Sequence, residues 1–231
     1  MMENPNLEFV YHGLAYLSMF LVSWWAYRTK SLKFFSENGW SQNNRIQFFL
    51  LTLGILVWWV IPIIMSGKTS LLILVFGENL PSSIQLSLVC GLAVLAFFVG
   101  SSQSGKLDIK SPNFQPPPTI FVISSFLVFR ILFLISYEIW FRGFFLQDLV
   151  LVFPLPVAIG INLFFYALIH IFSGPKQALG SIGFGAILCM MVIYFGSFWP
   201  AITIHLCLSL GYEASFVVRF SKPETLKSIK M

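Results

Sequence analysis

The chain has 231 residues, of which 57% are apolar and only 10% charged, with a formal net charge of +5. A soluble domain carries about 25% charged residues, so the composition excludes a soluble globular protein and points to a lipid bilayer as solvent. The basic residues sit in short loops and the tail, not on one basic face with interleaved aromatics, which excludes a nucleic-acid partner.

About 20 apolar residues are needed to cross a bilayer as a helix. The first candidate segment covers residues 9–27. The residues before it are polar and acidic and lack a basic n-region, so it reads as a retained membrane helix, not a cleavable signal. A second segment covers residues 48–66, while residues 71–76 are too few to cross and read as an interfacial piece or a half-helix. The third segment, 80–100, leads into a polar stretch over 101–119 that carries Lys106, Asp108 and Lys110. That stretch ends in Pro116-Pro117-Pro118, which makes it stiff and extended. Four further segments follow at 120–146, 155–172, 178–198 and 201–220. The expected fold is all-α, a polytopic integral membrane helix bundle of about seven transmembrane helices (six to eight), forming a single domain over 1–231. No internal repeat is visible.

Charge sets the expected orientation. Arg28, Lys30, Lys33 and Arg45 lie in the first loop, Lys106 and Lys110 in the third, and Lys176 in the fifth. Arg219, Lys222, Lys227 and Lys230 lie at the C-terminal end. With seven alternating spans all of these fall on one side, and only Lys68 on the other. The positive-inside rule then puts the N-terminus outside and the C-terminus in the cytoplasm, in a bacterial cytoplasmic membrane. Cys90, Cys189 and Cys207 fall in apolar runs without CxxC spacing. Neither disulfides nor structural zinc are expected of them, and Cys207, although it lies near His205, reads as a buried thiol.

Four ionisable residues stand inside apolar segments: Glu138, Arg142, His170 and His205. Each costs roughly 2.5–3.5 kcal/mol or more at membrane depth and is a functional candidate for that reason. Glu138 and Arg142 are four apart with the acid first, the favourable order for a helical pair; the plain reading is an ion pair that holds its helix in the bundle. Asn162, Tyr166 and His170 form a polar stripe at i, i+4, i+8, and His205, Ser209 and Glu213 form a second. Such stripes serve as interhelical hydrogen bonds, as a binding groove, as a proton path or, for Ser209 and His205, as a nucleophile pair. Arg130 either pairs with Glu138 or snorkels to the cytoplasmic side, and snorkelling is favoured. Glu8, His12 and Glu78 are explained by hydration at segment ends.

The run Tyr137-Glu138-Ile139-Trp140-Phe141-Arg142-Gly143 resembles Glu-Glu-x-x-x-Arg, the first motif of the CAAX protease and bacteriocin-processing family of intramembrane proteases. Tyr166-Ala167-Leu168-Ile169-His170 is similar to its second motif, Phe-x-x-x-His, and His205-Leu206-Cys207-Leu208-Ser209 to its third, His-x-x-x-Asn. The resemblance covers a core of residues 119–218, with the motifs in family order on successive membrane segments. In the family the first Glu and the second-motif His activate water, and the third-motif His and Asn hold the oxyanion. Here Tyr137 occupies the first-Glu position and Ser209 the Asn position.

The resemblance implies an endopeptidase that cleaves a membrane-associated protein or peptide by water attack, without an acyl-enzyme. Glu138 and His170 would activate the water, His205 and Ser209 would donate to the oxyanion, and Arg142 would hold Glu138 ionised. Tyr137, Tyr166 and Asn162 would support them. No cofactor and no metal is required by that scheme. The alternative is a non-catalytic member of the same fold that binds a peptide or partner membrane protein as a chaperone, immunity factor or scaffold. A small transporter ranks last, since repeated halves are absent. Neither the substrate nor the oligomeric state is encoded legibly.

Overall fold

The computed structural model describes residues 5–36, 38–40, 44–66, 81–104, 111, 114–116 and 118–220, without the side chains of residues 5–8, 65 and 66. Among these residues the chain opens with helix α1 (Pro5–Arg28) and a two-stranded antiparallel hairpin, β1 (Phe35–Ser36) and β2 (Gly39–Trp40). Six helices follow: α2 (residues 44–66), α3 (Ser83–Gln103), α4 (Ile120–Val152), α5 (Leu155–Ser173), α6 (Pro175–Phe195) and α7 (Trp199–Phe220). All six are long and apolar enough to cross a membrane. The protein is an all-α polytopic membrane bundle. Helix α1, with 24 residues, is about 36 Å long at 1.5 Å per residue. It is more polar than the others but turns Leu14, Leu17 and Leu21 outward.

Local chemistry sets the helix ends and moves several from the positions expected. Helix α3 starts at Ser83 because Ser82 and Gln85 form a capping box, each side chain bonding the other's backbone N–H. It runs to Gln103, so residues 101–103 belong to the helix instead of to the polar stretch. Helix α4 continues six residues past its expected end, since no breaker intervenes before Phe153 and Pro154. Helix α6 starts early at Pro175, a residue suited to a first turn, and stops at Gly196 in the left-handed conformation (φ 61°). Residues 71–76, Lys68, Glu78, Lys106, Asp108, Lys110 and the stretch from 221 onward lie outside the described residues.

Two helices are wound locally as π-helix, α2 over Leu56–Val60 and α4 over Ile139–Phe145. A π-turn adds a residue to the turn and re-aims the side chains on either side of it. The two segments meet, with Trp58 stacked on Trp140 at 5.6 Å between ring centroids. The Tyr11 hydroxyl donates to the Val57 carbonyl, and the Asn162 amide donates to the Phe141 carbonyl at 2.7 Å.

The closest backbone approach joins α3 and α7. A Cβ on Gly100 would lie 1.9 Å from the Leu208 carbonyl oxygen, and one on Gly211 would lie 2.1 Å from that of Phe97. Helices associate in lipid largely through such small-residue contacts, and Ser101 Oγ adds a hydrogen bond to the Gly211 carbonyl at 3.1 Å. Gly211→Ala is expected to cost about 1–3 kcal/mol by overpacking and to lower the thermal midpoint in detergent by roughly 3–10 °C. Gly91→Ala, where a Cβ would meet nothing within 4 Å, is the control and is expected to leave the midpoint unchanged.

Candidate active site

The site begins on α4, where Tyr137 and Glu138 immediately precede the π-turn and Arg142 lies within it. Glu138 and Arg142 are both fully buried. The Arg142 guanidinium nitrogen Nη1 lies 3.2 Å from Glu138 Oε2. Its plane covers the Tyr166 ring at 4.1 Å, and the missing side chain of Gly185 leaves room for it, since a Cβ there would sit 3.2 Å from Arg142 Nη2. The other carboxylate oxygen, Oε1, is 2.5 Å from Nδ1 of His205 on α7.

With His205 neutral, Glu138, Arg142 and His205 together carry no net charge, the arrangement that costs least in a low dielectric. A neutral imidazole has one N–H, and a ring that donates it from Nδ1 to the Glu138 carboxylate has its lone pair on Nε2.

Tyr137, His170, His205 and Ser209 line a cavity of about 230 Å³. Glu138 and Arg142 do not line it; they stand behind His205. His170, which opens the 3₁₀ turn that ends α5, and His205, in the first half of α7, are brought to one chamber by two tyrosines. Tyr137 is 5.6 Å from the His205 ring and 6.3 Å from that of His170, and Tyr166 is 5.0 Å from His170. The Tyr137 hydroxyl is 3.4 Å from His170 Nε2. The stripe of Asn162, Tyr166 and His170 thus divides: His170 faces the cavity, Tyr166 carries the arginine, and Asn162 is fully buried against Phe141, where it also accepts from the Cys189 thiol at 3.5 Å.

A second polar layer lies nearer the mouth. Arg130 Nε donates to Ser209 Oγ at 3.2 Å and stands 3.9 Å from Glu213 Oε1. Arg130 therefore does not pair with Glu138, which is two turns further along the same helix, but reaches across to α7. The wall extends to Lys33 after α1, Gln47 at the start of α2, Gln103 at the end of α3 and Gln177 at the start of α6. These positions mark the same end of the bundle, the end that also bears Arg28, Arg45, Lys176 and Arg219.

Hydration does not explain His12. It is 5% exposed and bonds Asp148 through Nε2 at 2.7 Å, with its ring against Trp140 and Phe145. The pair ties α1 to the π-turn of α4, because a buried imidazole and carboxylate satisfy each other more cheaply than either does alone. A histidine one turn into an apolar helix was the only sequence signal for it. Trp58 and Gln47, both on the cavity wall, carried no signal in the sequence pattern.

Comparison with known proteins agrees with this geometry. Residues 118–211 match a family model described as type II CAAX prenyl endopeptidase, Rce1-like. Residues 118–211 are thus similar to the CAAX protease family. No curated protein and no solved structure matches it. The matched segment carries the three motif helices α4, α5 and α7, and the family it matches is one of endopeptidases, hydrolases whose substrates are proteins or peptides. Helix α1 and helix α2, the latter supplying both Trp58 and Gln47, lie outside the match.

Removing one partner of a buried ion pair strands the other charge and costs about 3–5 kcal/mol. Arg142→Met is therefore expected to lower the thermal midpoint in detergent more than the double change Glu138→Gln with Arg142→Met, which leaves neither charge behind. A double variant less stable than Arg142→Met would contradict the pairing.

Proposed function

We propose that this protein is a CAAX-protease family member and an intramembrane endopeptidase in which His205, oriented by Glu138, activates the attacking water. The observation that carries the proposal is the Glu138 Oε1–His205 Nδ1 contact at 2.5 Å on a histidine that lines the cavity. A carboxylate that holds Nδ1–H fixes the tautomer and orientation of the ring and stabilises the imidazolium that forms during reaction. The roles expected from the motifs are thereby exchanged. Glu138 acts through His205 as a positioning residue, and the proton acceptor is His205 Nε2.

Tyr137 and His170 take the oxyanion. The pair holds two hydrogens, the phenol O–H and one imidazole N–H. When His170 donates to Tyr137, the phenol O–H is free for the developing alkoxide. Tyrosine at the position of the family's first Glu is a poor base near neutral pH, with a reference pKa of about 10, but a good oxyanion donor. Ser209, whose oxygen accepts from Arg130, belongs to the layer nearer the mouth.

Water gives a proton to His205 Nε2 and its oxygen bonds the scissile carbonyl carbon. The alkoxide is held by Tyr137. The C–N bond then breaks, and the imidazolium returns its proton to the leaving nitrogen. The cavity mouth, at the basic end of the bundle, faces the cytoplasm in this proposal, with α1 as a seventh span and the N-terminus outside.

The test is to purify wild type, His205→Ala and Tyr137→Phe in detergent, confirm folding, and count new N-termini generated in a membrane proteome. Loss of a general base is expected to lower the rate by about 10²–10⁴-fold and loss of an oxyanion donor by about 10²–10³-fold. Equal termini from wild type and His205→Ala would overturn the proposal. That result would favour the second reading, a non-catalytic member that binds a peptide or partner membrane protein, for which the departures at Tyr137 and Ser209 speak.

A further inference from the structure

The layer of Arg130, Ser209 and Glu213 has more hydrogen-bonding capacity than the protein uses. Glu213 is 5% exposed and lines the cavity, yet its Oε2 has no hydrogen-bond partner among the described residues. Across from it, Arg130 commits only Nε to its neighbours, to Ser209 at 3.2 Å and near Glu213 at 3.9 Å. Its two terminal amino groups have no hydrogen-bond partner among the described residues. An unmatched buried acceptor is costly, and here it stands beside unmatched donors on a cavity wall.

We infer that this layer is a subsite for one backbone peptide group of an extended polypeptide, its N–H donated to Glu213 Oε2 and its C=O accepting from Arg130. The pair's own charges select a neutral bipolar group over the ionic choices. A carboxylate would compete with Glu213 for one guanidinium and leave Oε2 without a donor. An ammonium would repel Arg130. A peptide group offers one donor and one acceptor and satisfies both walls without adding charge.

Spacing supports the same assignment. Arg130 precedes Tyr137 by seven residues on one helix, about 10 Å at 1.5 Å per residue. An extended chain covers that distance in about three residues at ~3.3 Å each. A chain whose scissile carbonyl lies at Tyr137 and His205 therefore presents a peptide group about three residues away to the Arg130 layer. Gln47, also 5% exposed and lining the same wall, adds a side-chain amide with an unpartnered oxygen. The inference rests on the protease proposal only in that a polypeptide occupies the cavity.

The test separates the two. Purified full-length protein in detergent is titrated with acetyl-tetraleucine N-methylamide, and binding is followed through the fluorescence of Trp58, which is fully buried and lines the cavity. Trp58→Phe identifies its signal. Five analogues each replace one of the five N–H groups by an ester oxygen. One analogue is expected to bind about tenfold more weakly than the parent. That penalty should shrink to less than twofold in Glu213→Leu, and persist in Glu213→Gln, which keeps an acceptor. Arg130→Met is expected to weaken the parent peptide about tenfold. Equal binding of all five analogues, an ester penalty unchanged in Glu213→Leu, or no binding of the parent would overturn the subsite. A subsite that behaves as expected in a protein that generates no new termini would instead overturn the protease proposal alone. New termini without any ester penalty would do the reverse.

Discussion

One fully buried carboxylate organises this molecule. Glu138 holds a cation from its own helix, Arg142 at 3.2 Å, and an imidazole from another, His205 at 2.5 Å. In lipid such a group has no water to fall back on, so the protein must complete it from side chains. The guanidinium is in turn laid over Tyr166 and accommodated at Gly185. Helices α4, α5, α6 and α7 are thereby fixed about one charge-neutral centre. His205 is the point where that centre meets the cavity, and its ring direction is set by the carboxylate behind it.

The surrounding structure serves this arrangement. The π-turn of α4 shifts the residues after Glu138 relative to those before it, and it is held from three sides: by Asn162 on Phe141, by Trp58 on Trp140, and by His12 through Asp148 and the Trp140 ring. Two of these supports come from α1 and α2, outside the segment that matches the family. A family-like core thus receives chain-specific bracing. Tyr137 and Ser209, the two positions at which the motif resemblance implies a departure, fall on the cavity wall, whereas the same resemblance implies that Glu138, Arg142 and His205 are the family's residues. The division of labour proposed here follows from that: the retained charges prepare His205, and the altered positions turn a carboxylate wall into a hydrogen-bond donor and a binding layer.

Much of this was legible in the sequence. Runs of apolar residues place all six spans of α2–α7 to within a few residues, because bilayer thickness dictates length whatever the packing. The ends that moved did so where a capping box, a proline or the lack of a breaker overrode the hydropathy profile. His170 and His205 stood out because an ionisable group in lipid requires a reason. The direction in which Glu138 points was not legible, since a π-turn leaves no clear mark in composition. Nor was the partner of Arg130: two turns along its own helix lay an obvious acid, but the acid it meets is on α7, a choice made by helix crossing and not by sequence spacing. His12 was read as hydrated because its partner Asp148 lies 136 residues away.

In the proposed mechanism Glu138 sets His205 as a neutral imidazole with its proton on Nδ1 and its lone pair toward the cavity. The chain contains only three histidines, so ¹⁵N NMR of histidine-labelled protein in detergent, assigned with His12→Gln and His170→Gln, addresses each ring separately. At neutral pH His205 is expected to carry its proton on Nδ1, and Glu138→Gln to change the tautomer balance of His205 and of neither other ring. A His205 protonated on Nε2 alone, or one indifferent to Glu138→Gln, would contradict it.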